Sequence, residues 1–271
     1  MNKRPVVPRS DRRPLVAMVV LMCIMWLPDV VLAQSCRLAI QHAGVTFPVE
    51  RVEHAWACRL QPIIENYTTA NKVGPLRTAT TESLYLYLLD RPHVATALIN
   101  RLAIGLYKAE PRGPDRYWGT DGEGTEGIVE LVYQDATSRI YYVEGSHQTR
   151  LIPNMTGKAV VFLRMTPIKN ESGMEMMDST IVAYAKLDNR ILSGLASLVR
   201  PLIGGMVVRK VVKGVEAVNR LGLEMRRHPE RVISEATNPP PLPDTDVAFL
   251  KGALGLQGSL SLGGQPKTPA P

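Results

Sequence analysis

An α+β fold, with a curved antiparallel sheet of about six strands wrapped around a long C-terminal helix, is what this 271-residue sequence predicts. Three observations predict it. Residues 80–102 carry apolar side chains at helical spacing, residues 106–187 alternate polar and apolar with turn chemistry between runs, and residues 192–227 form the longest amphipathic stretch. With 45% hydrophobic and 21% charged residues the chain can bury a core, which excludes a wholly disordered or polytopic membrane protein.

The N-terminus comes first. Lys3, Arg4, Arg9, Arg12 and Arg13 precede an apolar run over 15–27, and Val31-Leu32-Ala33 places small or apolar residues before a cleavage point. That order predicts a secretory signal peptide over 1–33. The run is shorter than the roughly 20 residues a bilayer span needs; a retained anchor is the competing reading. Cleavage removes five basic and two acidic residues from a net charge of +7, leaving about +4, too weak for a nucleic-acid binder. Export implies an oxidising compartment, the periplasm of a Gram-negative bacterium being the expected one. There Cys36 and Cys58 are expected to pair, the alternative being two buried thiols. Their spacing fits neither a CxxC redox motif nor a metal knuckle, and no metal or other cofactor is expected. Residues 34–73 read as an extension with a helix near 52–60.

In the main domain, Thr80-Thr81-Glu82 caps a helix carrying Leu84, Tyr85, Leu88 and Leu89, and Pro92 opens a second with Val94, Leu98, Ile99 and Leu102. Strands follow over 106–110, 116–120, 127–134, 139–144, 158–165 and 178–187; their short links favour an antiparallel meander. The long helix should kink or break near Pro201 and Gly204-Gly205. Its basic face, Arg209, Lys210, Lys213, Arg220, Arg226 and Arg227, fits either a solvated surface or peripheral contact with an anionic membrane. After Pro239-Pro240-Pro241 the composition turns to Pro, Gly and Ser. Residues 233–271 read as a tail with one short helix over 246–256.

This element order resembles the helix-grip fold of the START-like superfamily, which includes lipid carriers and polyketide cyclases. The resemblance covers about 74–232 and rests on order alone, since no short motif carries it. In that family a first strand precedes the two helices, and here 74–80 would supply it. The resemblance implies a cavity between the concave sheet and the long helix that holds an apolar ligand.

Tyr133, Tyr142, Phe162, Tyr184 and Met206 are the expected apolar walls, with Gly204, Gly205 and Gly214 leaving room on the helix; alternation sends only one of Tyr141 and Tyr142 inward. Arg116, Glu130 and Arg164 are the expected anchors for a polar head group, since an inward charge needs a partner. The string Gly122-x-Gly124-x-x-Gly127 runs into a strand rather than a helix, so it reads as a hairpin and not a dinucleotide site. Asp121, Glu123 and Glu126 lack EF-hand spacing and read as an acidic loop. If the chain is an enzyme, His147, Asp121 and Asp178 are its acid/base candidates; no serine elbow or paired-histidine motif accompanies them. Three functions follow: an exported carrier or sensor of a lipid or isoprenoid, gated by the helix and the loops over 122–127 and 151–157; a cyclase or hydrolase using the same cavity; or an envelope scaffold using the basic helix and the tail.

Overall fold

The computed structural model describes residues 36–148, 155–188 and 196–256, with side chains in the last span from Gly204 onward. The expected signal segment over 1–33, residues 151–154 of the expected second gate loop, and the chain beyond 256 lie outside the described residues.

The extension opens with a ribbon, β1 (Gln41–His42) and β2 (Val45–Thr46), then a single 3-10 turn at Val49–Arg51 and helix α1 (His54–Glu65). The expected disulfide, Cys36–Cys58, ties the first described residue to α1. The first sheet strand, β3 (Thr69–Thr78), starts earlier than the sequence indicated and makes the sheet seven-stranded. Gly74-Pro75 hides it, because that pair has poor strand propensity. The pair is tolerated because β3 is an edge strand whose register shifts between Val73 and Leu76.

Helices α2 (Glu82–Asp90) and α3 (Pro92–Arg101) follow as expected, with Thr81 capping Leu84 N–H and Pro92 in the first turn of α3. Then come the six meander strands, β4 (Lys108–Gly113), β5 (Arg116–Thr120), β6 (Thr125–Gln134), β7 (Ser138–His147), β8 (Met155–Lys169) and β9 (Glu175–Leu187). All neighbours are antiparallel, in the order β3-β9-β8-β7-β6-β5-β4. The arrangement is a helix-grip one: first strand, helix pair, meander and long helix α4 (Ala196–Arg227).

Two expectations change here. Helix α4 runs unbroken through Pro201 and Gly204-Gly205; Pro201 lies in its first two turns and removes one helical hydrogen bond there. The described part of the supposed tail is folded: α5 (Pro229–Thr237) and α6 (Asp244–Ala253) bury Val232, Ala236, Leu242, Val247 and Leu250 against α3 and α4. Arg101 fastens the intervening Pro-rich link by donating to the carbonyls of Glu235 and Pro240, each at 2.6 Å. Tyr87 stacks on Phe249 and donates to the buried Asp246 carboxylate at 2.5 Å. The prolines made the segment look unstructured. Each instead serves at a helix start or in a link whose carbonyls Arg101 collects.

Helix α4 packs closely on the β3–α2 link. A Cβ at Gly222 would lie 2.6 Å from Thr80 Cγ2, and Asn219 Oδ1 accepts from Ala79 N–H. Among the described residues no helix is long and apolar enough to cross a membrane.

Candidate functional site

Strand register divides the sheet residues between two faces. Arg116, Glu130, Tyr142, Val160 and Tyr184 are in register across β5 to β9, so they share one face. This is the convex face, and the extension covers it: Phe47, Val49, Val52, Leu60 and Ile63 bury Ile140, Tyr142, Phe162 and Val182, with Tyr133 and Tyr184 packed beside them. His42 lies within this layer, stacked on Phe162 at 4.1 Å with its Nδ1 3.2 Å from the Tyr184 hydroxyl. Burial pulls its pKa down, keeping it neutral.

Most of the expected wall is therefore on the other side of the sheet. Tyr133, Tyr142, Phe162 and Tyr184 pack under the extension instead of facing α4. Tyr133 reaches that face because the register shifts between Leu131 and Tyr133, pairing it with Ile140. Arg116 and Glu130 pair on the same face, and Arg164 there donates to Ser138 Oγ at 3.0 Å. Asp178 pairs with Thr166 and Arg77, away from His147. Of the expected ligand residues, only Met206 lines a hollow under the helix.

Small side chains make one strip of the concave face. Gly119, Gly127, Gly145 and Gly157 stand in register on four successive strands, a bare lane across β5 to β8. Ala159 and Ala185 continue beside it. Close backbone approach requires glycine at the centre of the lane: a Cβ at Gly127 or Gly145 would lie 2.5 Å from a neighbouring strand's carbonyl oxygen.

Two adjoining hollows result. The larger, about 460 Å³, lies among α2, α3, β4 to β7 and α4, where Leu88, Ile99, Val129, Leu131 and Val218 supply apolar walls and Gly214 opens the helix side. A Cβ at Gly214 would meet nothing within 4 Å. Charged or polar groups enter through Asp90, Asp115, Gln134 and Arg139. The smaller, about 350 Å³, lies over the glycine lane and ends at Met155, Leu187 and Met206. The two share Tyr107, Gly119 and Val129. Both volumes are within the range usual for small-molecule sites.

The polar corner of the smaller hollow brings together two of the three acid/base candidates. His147 Nδ1 is 2.9 Å from Thr125 Oγ1. Burial lowers its pKa and Lys210 adds to that, so the ring is neutral at pH 7. Asp121 turns the β5–β6 hairpin by accepting from Glu123 and Thr125 N–H, and pairs with Lys210 at 2.6 Å. Burial pushes the Asp121 carboxyl up, but Lys210 and the two N–H groups outweigh it and hold it below the usual range. Glu123 reaches both Lys210 and Lys213. The hairpin is therefore latched to α4 by side chains the sequence placed on a free basic face. Among the described residues the one grouping of three metal-ligand types is Cys36, His54 and Cys58, and its thiols are spent in the disulfide.

No protein-family model matches the chain, and no curated protein does. A conserved protein from Geobacillus kaustophilus is similar at TM-score 0.42 and 14% identity, covering 58% of this chain and 95% of its own. Norcoclaurine synthase from Thalictrum flavum is similar at TM-score 0.38 and 13% identity, covering 69% and 98%. At such values the fold rests on the element order and register described above.

Arg139 was missed by the sequence reading. It faces the larger hollow yet is only 3% exposed, with Nη2 2.7 Å from Asp90. A signal existed: an arginine two residues from Tyr141 in the strand densest in aromatic and β-branched residues shares its face.

Proposed function

We propose that the protein binds an apolar small molecule, a lipid or isoprenoid, between the concave sheet and α4, and carries or senses it in an exported, oxidising compartment. The observation that carries this is the larger hollow, whose walls are mostly apolar and whose floor and helix side lack bulk at Gly119 and Gly214. A solid core would fill that space with side chains, as the convex face does. Ligand desolvation supplies the binding energy, and the latched hairpin at Asp121 and Glu123 works as the gate with α4. The Cys36–Cys58 bridge supports export. Arg209, Arg220 and Arg227 are left for peripheral contact with an anionic membrane during delivery.

Native mass spectrometry with organic extraction, on protein purified from its own host's envelope, tests the reading. A stoichiometric apolar adduct is expected; an empty protein under gentle conditions would count against carriage.

A second reading, a cyclase or hydrolase on an apolar substrate, is favoured by one observation: neutral His147 lies in the same corner as Asp121 and Lys210. His147→Ala should then abolish turnover while binding persists.

A further inference from the structure

We infer that the molecule taken up by the larger hollow is an acid, and that Arg139 receives its carboxylate. This rests on the reading of that hollow as a ligand site.

Arg139 lies on β7 opposite Gln134 and Leu163, on the concave face. Its side chain is 4% exposed, while its partner Asp90 is 52% exposed. Asp90 engages only Nη2; Nε and Nη1 are buried without an acceptor among the described residues. A guanidinium always carries its charge and cannot escape burial by losing a proton. Buried donors of a charged group left without acceptors are among the costlier features a fold can contain. An acceptor arriving in the hollow removes that cost, and a carboxylate does so with charge as well as hydrogen bonds.

The surroundings select the kind of acid. Asp90 and Asp115 line the same hollow, so a doubly charged phosphate would meet two carboxylates against one guanidinium. A single negative charge is the match. Tyr141, two residues along the same face, has its hydroxyl beside Arg139; burial raises its pKa against the opposing pull of the Arg139 charge and hydrogen bond, so the hydroxyl stays neutral and, while its oxygen accepts from the guanidinium, its proton is free for a second carboxylate oxygen. Beyond this polar end the walls are Leu88, Ile99, Val129, Leu131 and Val218. They suit an alkyl or isoprenoid chain, which can continue past Val129 toward the glycine lane.

The test uses the purified protein, N-phenyl-1-naphthylamine as a neutral fluorescent probe, and three competitors with one chain length: dodecanoate, 1-dodecanol and dodecyl phosphate. Dodecanoate should displace the probe at a concentration at least about tenfold lower than 1-dodecanol. Arg139→Gln should remove that preference, and Arg139→Lys should retain part of it. If the probe binds but acid and alcohol compete equally, the carboxylate anchor is overturned while the cavity reading stands. If dodecyl phosphate competes best, the single-charge assignment is overturned. If the probe does not bind at all, the cavity reading fails and takes this one with it. Should Arg139→Gln not fold, the wild-type series decides alone.

Discussion

The two faces of the sheet are built from alternate residues of the same strands and are opposites. On the convex side Phe47, Leu60, Tyr142 and Phe162, all nearly inaccessible, interlock with the extension. On the concave side glycines and alanines leave the lane and the hollows. The difference teaches that aromatic residues on a strand mark a solid layer at least as readily as a ligand wall. Space is made where side chains are missing.

The largest expected effect breaks the solid face. Phe162→Ala leaves a void under the extension and should cost ~3–5 kcal/mol in denaturant unfolding, with the acid-over-alcohol preference intact in whatever protein remains folded. An effect confined to ligand binding would show that the convex layer is not the main core. Next is the clamp over that layer. Replacing both Cys36 and Cys58 by serine frees a loop with 22-residue separation and should cost about 3 kcal/mol, read as a lower denaturation midpoint that matches the reduced wild type.

The concave face responds by position. Gly145→Ala drives a Cβ against Glu126 O and should destabilise by ~1–3 kcal/mol, whereas Gly214→Ala meets open space and should stabilise α4 by up to ~1 kcal/mol. Gly214→Phe should keep the fold and lower probe uptake. Equal losses at positions 145 and 214 would show that no hollow lies under the helix.

The smallest effects concern charge. His42 and His147 both have pKa values lowered by burial, so the folded state binds fewer protons than the unfolded one. Their contribution is complete above the unfolded value of about 6.5 and is lost as pH falls through the lower folded values. His42, 2% exposed against 8% for His147, should account for more of this slope, so His42→Leu flattens it further than His147→Gln does. The latch has another window: Asp121 and Glu123 titrate below their usual values, so its contribution is complete above the ordinary carboxylate range of about pH 4 and is lost only as pH falls through the lower folded values. Glu123→Gln should change stability by no more than ~1 kcal/mol while speeding probe exchange. Unchanged exchange would remove the hairpin as gate.

The sequence by itself determined the helix pair, the six meander strands, the hairpin at Asp121–Gly124, the long helix and the pairing of Cys36 with Cys58. These follow from local periodicity, capping and turn chemistry, which act within a few residues of one another, and from one covalent bond between the two cysteines that lie beyond the apolar N-terminal run. The tertiary structure decided which face was empty. Alternation separates Arg139 and Tyr141 from Ile140 and Tyr142, but it does not say which set meets α4 and which meets the extension. That is settled by the docking of segments far apart in sequence, Phe47 against Phe162 and Val218 against Leu163 and Met165. The same limit hid β3, whose Gly74-Pro75 bulge is acceptable only on an edge, and the folding of 229–253, whose Pro-rich link is held at the Glu235 and Pro240 carbonyls by Arg101 from another helix. Arg139 stayed hidden because an arginine on a strand is ordinary in a sequence. Only its burial, with Nε and Nη1 unmatched, sets it apart.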